Sequence, residues 1–210
     1  MSPLSHPFAL AAKALGRLRF SFARSKANTA SWTPQLLKEL EWRRFEELCA
    51  AYYETLGFRT DPAPSAAGGG AIGLYAQDAE RASIVVQCEP WNAYRVGIKS
   101  VRGLAGLMAS ANVAEGVLVT SGKFTQEART FAGKQKIDLI DGDELLARIA
   151  ALPPEKALEL LKLATQGDFT TPTCPSCAVK MIRRKSTTRG RPYWGCRNYP
   201  GCKQTFTDTA

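Results

Sequence analysis

Four cysteines near one end of the sequence constrain this chain more than any other feature. Cys174, Cys177, Cys196 and Cys202 are spaced C-x2-C, then 18 residues, then C-x5-C. Two close thiol pairs joined by a loop of that length can converge on one tetrahedral zinc ion, which takes sulfur ligands at about 2.3 Å. The single histidine, His6, lies far off in the sequence, so the site is all-cysteine and keeps no open position for a catalytic water. The expected Zn²⁺ is structural, and in so small a piece its binding supplies much of the folding free energy. Reduced core cysteines or disulfides are the competing use of these residues. The clustering argues against that, since Cys49 and Cys88 sit singly inside apolar runs instead.

The formal charge of +9 is unevenly spread. Residues 1–30 carry Lys13, Arg17, Arg19, Arg24 and Lys26 with no acid; the segment from Cys174 onward carries eight cations against Asp208; the stretch between is mildly acidic. Two basic ends on an acidic body suit a polyanionic partner, either nucleic acid or an anionic membrane face. No apolar run approaches the roughly 20 residues of a membrane span, and the N-terminus has no compact apolar stretch followed by a cleavage-like site. The expected compartment is the cytoplasm, with nucleoid association in a bacterium. Around the second cysteine pair, Arg189, Arg191, Tyr193, Trp194, Arg197, Tyr199 and Lys203 interleave cations with aromatic rings. Rings that stack on unpaired bases and cations that follow phosphates are what single-stranded nucleic acid binding requires. Some of those rings must cover the small zinc core, and a zinc-held clip between proteins is the competing use of the module.

The remainder of the chain reads as alternating elements. Residues 1–30 form a basic arm, expected to be mobile or to dock as an amphipathic helix. Thr33-Pro34 is a helix cap followed by proline at the first helical position, and Leu36, Leu37, Leu40, Phe45, Leu48, Cys49 and Tyr52 recur at helical spacing to Gly57. One long helix, or two joined near Glu41, should result. A short strand begins at Phe58-Arg59, a loop covers Asp61–Gly70, and Ile72–Ala76 and Ser83–Cys88 pair about a turn at Gln77–Arg81. A helix from about Val96 to Ala111, a buried strand Gly116–Thr120, a helix capped by Thr125, a second buried strand Ile137–Ile140 and a helix capped by Asp141 or Asp143 follow. Strands alternating with helices imply parallel pairing. The sequence therefore divides into a basic arm 1–30, an α/β domain 33–152, a helix and linker 153–173, and a cysteine module 174–206.

Two families are resembled. The runs Cys174-Pro175-Ser176-Cys177 and Gly195-Cys196-Arg197-Asn198-Tyr199-Pro200-Gly201-Cys202 resemble the C-terminal zinc finger of type I DNA topoisomerases over about 35 residues. That resemblance implies a DNA-binding ribbon with a preference for single strands; it implies no topoisomerase activity. Trp42–Leu152 resembles the Mrr-type restriction endonuclease domain of the PD-(D/E)xK fold. The residues concerned are Trp42-Arg43-Arg44-Phe45-Glu46 ahead of Gly57-Phe58, then Val86-Gln87-Cys88 with Trp91, Gly116–Thr120, Phe124-Thr125 with Ala128 and Ala132, and Leu139-Ile140-Asp141-Gly142. This implies a restriction-endonuclease-like mixed sheet flanked by helices, with a small zinc ribbon appended.

The second resemblance also implies a chemistry. In such a domain an acid near the start of the second strand and a Gln or Glu on the third hold Mg²⁺, and a Lys two positions on stabilises the developing charge. Here Glu46 matches the first-helix acid and Gln87 the third-strand position, but Gly73 stands where the acid belongs and Glu89 where the lysine belongs. No Asp lies between Pro62 and Gln77, so a slip of register does not restore the ligand. Three readings follow. The first is a DNA-binding protein with a remnant site of Glu46, Gln87 and Glu89, taking single-stranded or branched DNA. The second is an active Mg²⁺-dependent endonuclease pairing Glu89 with Glu46 and drawing its cation from Lys99 or Arg95. The third is an adaptor whose ribbon binds protein and whose basic arm touches a membrane. Structurally, Glu46 also reads as a surface carboxylate paired with Arg43 or Arg44, and Gln87 as a satisfied buried amide.

Overall fold

The computed structural model describes residues 31–63, 71–75, 82–89, 95–185 and 190–208. The arm 1–30, the turn 77–81, Trp91 and Arg189 lie outside the described residues. Helix α1 (Pro34–Glu39) begins where Thr33 Oγ1 accepts from Leu36 N at 3.0 Å, a cap worth about 1 kcal/mol. The helical pattern then breaks, because Leu40 is extended and the Glu41 backbone N–H donates to Phe169 O at 2.8 Å instead of back into α1. Glu41 in turn caps α2 (Trp42–Thr55), its carboxylate accepting from Arg43 N at 3.1 Å. Phe45, Leu48, Cys49, Tyr52 and Tyr53 form the buried face of α2. Gly57 ends it at φ +88, a conformation that costs a glycine little.

The principal sheet has five strands, β1 (Arg59–Ala63), β2 (Ala71–Tyr75), β3 (Ile84–Cys88), β5 (Glu115–Val119) and β7 (Ile137–Ile140), in that spatial order. The first two pairings are antiparallel and the last two parallel. The strand expected from Arg59 runs on to Ala63, and β1 lies at the edge of the sheet, where a proline such as Pro62 is tolerated. The parallel strands are joined by α3 (Ile98–Ser110) and α4 (Gln126–Ala132), with Thr125 capping α4 at 3.2 Å. Asp141 caps α5 (Gly142–Ala150) by accepting from Glu144 N. A two-residue parallel pair, β4 (Arg95–Val96) with β6 (Lys123–Phe124), lies outside the main sheet. Val85, Leu118 and Leu139 pack with Val101, Leu104 and Met108 of α3 in one apolar cluster. Successive strand residues face opposite ways, so Gln87 looks to the α3 side of the sheet and Cys88 to the α2 side, where its thiol meets Cys49.

After α6 (Pro154–Thr165) comes a second, three-stranded antiparallel sheet of β8 (Ile182–Lys185), β9 (Pro192–Gly195) and β10 (Thr205–Thr207), ordered β10-β9-β8. The whole is a mixed α/β restriction-endonuclease-like sheet with helices and a small cysteine-bearing antiparallel sheet. The stretch between the two is bound to the body. Glu41, 3% exposed, accepts from Thr173 N at 3.2 Å, Thr173 Oγ1 at 2.8 Å and Lys180 Nζ at 3.2 Å. Trp42 Nε1 donates to Thr173 O at 2.7 Å. Arg44 donates to Leu163 O and Gln166 O at 2.9 and 3.0 Å. Among the described residues no helix is long and apolar enough to cross a membrane.

Candidate functional site

The sulfurs of Cys174, Cys177, Cys196 and Cys202 lie within 4.8 Å of one another, and those of Cys174 and Cys202 are 3.7 Å apart. A tetrahedron with metal–sulfur bonds of about 2.3 Å has edges of about 3.8 Å, so the four side chains fit a zinc ion as they stand. The first pair sits on a tight knuckle closed by Ala178 N donating to Cys174 O at 2.9 Å, with Ala178 itself at φ +55. The second knuckle presents Asn198 N to Cys196 Sγ at 3.4 Å, a hydrogen bond that offsets thiolate charge, and closes with Cys202 N donating to Asn198 O. Among the described residues this is the single cluster of His, Cys, Asp or Glu arranged to hold an ion. The four-cysteine cluster is consistent with a structural zinc site.

The sheet above the cysteines sorts the aromatic residues by strand alternation. Trp194 and Phe206 are cross-strand partners and turn inward onto Cys174, Met181 and Cys196. Tyr193 and Gly195 therefore face outward, with Arg184 beside them on β8. Arg184 lies across Gly195, where an added Cβ would stand 2.9 Å from its Cδ and 3.0 Å from its Nε. Its Cζ is 5.5 Å from the centre of the Tyr199 ring, which is 60% exposed. Arg191, Arg197 and Lys203 are exposed around this face. Of the sequence candidates, Tyr193, Tyr199, Arg191, Arg197 and Lys203 share the ribbon surface, Trp194 fills its core, and Arg189 is outside the described residues. Arg184 was missed, because in sequence it is one of three consecutive cations at 183–185. Pairing opposite Tyr193 singles it out.

In the body, the structure brings Gln87 and Glu89 together. Gln87, 8% exposed, donates from Nε2 to Glu89 Oε1 at 3.2 Å. Burial pushes the Glu89 carboxyl up, while hydrogen bonds from Ser100 of α3 and from Gln87 pull it down. Glu46 is carried by α2, which packs against the opposite face of the sheet. The charges of Glu46 and Glu89 both raise the Cys88 thiol, which its hydrogen bond to Cys49 and its burial already hold well above the ordinary value. Arg43 and Arg44 pair with Glu47, at 3.7 and 3.1 Å.

At Gly73 a side chain would press on the Tyr75 ring. An added Cβ there would lie 3.1 Å from Tyr75 Cε2 and 3.5 Å from Ala82 Cβ. Arg59 stacks on that Tyr75 ring, 4.3 Å from its centre, and pairs with Asp61 at 2.8 Å. Asp61 is directly opposite Gly73 on β1. However, β1 is two strand spacings of about 4.8 Å from β3, so Asp61 does not replace an acid that must share an ion with Gln87. Position 73 thus presents a glycine beside a tyrosine ring, with no carboxylate of its own to offer a divalent ion.

Residues 37–149, just over half of the chain, match the restriction endonuclease family Mrr_cat. Among solved structures, the DNA modification-dependent restriction endonuclease AspBHI is similar at 22% identity and a TM-score of 0.42, over 80% of this chain and 51% of that one. The MspJI restriction endonuclease in complex with a 27-mer oligonucleotide matches at 17% and 0.36, over 63% of this chain and 34% of that one. EndoMS in its apo form matches at 19% and 0.36, over 48% and 45%. The chain thus spans about half of these proteins or less. No curated protein matches it.

Proposed function

Since the chain belongs to the Mrr_cat restriction endonuclease family, we propose that it is a DNA-binding protein whose body keeps the endonuclease fold without its standard hydrolytic site. Its zinc ribbon, of the type that ends type I DNA topoisomerases, grips single-stranded DNA. The division that goes with this reading is a basic arm 1–30, a body 33–152, a helix and joint 153–173 and a ribbon 174–206. The observation that carries it is the contrast between the two sites. On the body, the Tyr75 ring leans over Gly73, where the family's acid would stand; on the ribbon, Arg191, Arg197, Tyr199 and Lys203 are exposed, and Arg184 lies opposite Tyr193 and beside Tyr199. A cation-and-ring face of this kind holds unpaired strands without reading sequence.

The test is salt-dependent binding by the full chain. Reversing three charges, Arg191→Glu with Arg197→Glu and Lys203→Glu, should weaken single-stranded DNA binding and flatten the logarithmic salt slope by about 2, at roughly 0.7 per lost phosphate contact. Unchanged affinity would remove the ribbon from the function. The wild type should leave DNA uncut with Mg²⁺ or Mn²⁺. A second reading is an endonuclease using Glu46 and Glu89 with Lys99 or Arg95, supported by Gln87 lying within hydrogen-bond distance of Glu89 at the end of the third strand. Cutting that Glu46→Ala or Glu89→Ala abolishes would establish the second reading instead.

A further inference from the structure

The ribbon's outward face contains a residue whose position charge alone does not explain. Arg184 lies against Gly195, opposite Tyr193 on the facing strand and beside Tyr199 on the second knuckle. Its Nε is buried with no hydrogen-bond partner among the described residues, and its Nη2 makes a long 3.5 Å approach to Cys196 O. Leaving a buried donor unpaired costs stability, and a lysine would supply the same charge with no buried Nε–H. The glycine floor is equally specific, because any Cβ at position 195 would strike Arg184 within 3.0 Å. What the arrangement provides is a guanidinium plane fixed beside two tyrosine rings, one of them 60% exposed. Such a plane stacks on the π-face of a base and carries the positive charge there.

Resting on the reading of the ribbon as a single-strand grip, we propose that Arg184 is the residue through which the ribbon discriminates unpaired bases from duplex, by stacking together with Tyr199 on an exposed base over the Gly195 floor. Duplex DNA offers phosphates to Arg191, Arg197 and Lys203 but keeps its base faces stacked on one another. The exposed cations therefore set affinity for any DNA, and Arg184 sets the preference for single strands.

The experiment is equilibrium binding of the full chain to a labelled single-stranded oligonucleotide and to its duplex, with zinc measured in every sample. Arg184→Lys keeps the charge and removes the plane. It should weaken single-stranded binding about tenfold, leave duplex binding and the salt slope as in the wild type, and retain one zinc per chain. Gly195→Ala should give the same selective loss by displacing the guanidinium; should that variant lose zinc, Arg184→Lys alone decides. Wild-type single-strand affinity in Arg184→Lys, with the triple charge reversal still losing it, would overturn the role of Arg184 and leave the ribbon reading standing. Equal losses on single strand and duplex would make Arg184 a phosphate contact and overturn the proposal too. If the triple reversal also binds as the wild type does, the ribbon reading falls and the proposal with it.

Discussion

The two sheets of this molecule carry their functional groups under different constraints. In the five-stranded sheet the core is made by Val85, Leu104, Leu118, Phe45, Leu48 and their neighbours, which would pack identically with or without an ion at the strand ends. The three-stranded sheet has little besides Met181, Trp194, Phe206 and the four cysteines to hold it. A body stabilised by hydrocarbon can lose a metal ligand at Gly73, and let Tyr75 settle over the gap, without losing its fold. A ribbon stabilised by its metal has no such freedom, because the ligands are the core.

The largest effect expected from this contrast is at Cys196. Cys196→Ser should abolish zinc binding and unfold the ribbon while the helical circular dichroism of the body persists; one zinc per chain in that variant would show that the ribbon does not depend on all four sulfurs. The joint between the two regions comes next. Glu41→Ala leaves Thr173 N, Thr173 Oγ1 and Arg43 N without their acceptor, a loss of about 3 kcal/mol or roughly 6–12 °C in Tm for a chain of this size. Zinc should stay bound, and proteolysis near residues 166–173 should accelerate. A Tm unchanged in Glu41→Ala would mean that the regions are coupled in some other way.

The smallest expected effect is at Glu89. Its carboxyl is pushed up by burial, so the folded protein holds that proton more tightly than the unfolded chain does. Stability from this group is complete below the unfolded carboxylate range and declines as pH rises through the raised value. Glu89→Gln should therefore raise Tm slightly at pH 7 and make no difference near pH 3. A variant less stable than the wild type at pH 7 would show that the ionised carboxylate is wanted there, as a nuclease would want it.

Much of this architecture is legible from the sequence, for reasons that differ between particular residues. Thr33, Thr125 and Asp141 announce helix starts because a cap acts within three residues of itself. The strands at 84–88 and 115–119 show as apolar runs because both of their faces are covered, whereas 137–140 exposes Asp138. The cysteine spacing carries the zinc geometry directly. Trp194 and Tyr193 look alike in sequence, and only the alternation of β9 sends one to the core and the other to solvent. Gly73 is visible as a missing acid, yet its cover by Tyr75 depends on a side-chain direction no spacing specifies. Glu41 is legible as the joint between two helices, but its tie to the ribbon carries no signal, since its partners Thr173 and Lys180 are 132 and 139 positions away.

That carboxylate has a bearing on how such a chain can change over time. A terminal module on a loose tether can be traded for another by cutting anywhere in the tether. Here the residue just before the first zinc ligand, and a lysine between the two knuckles, complete the hydrogen bonding of a buried acid at the start of another module's helix. A replacement module would have to bring a hydroxyl and an amide to the place of Thr173 and a cation to that of Lys180, or else leave a charge stranded in the interior. Positions 41, 173 and 180 thus form one hydrogen-bonded set, and a change at any of them is felt by the other two.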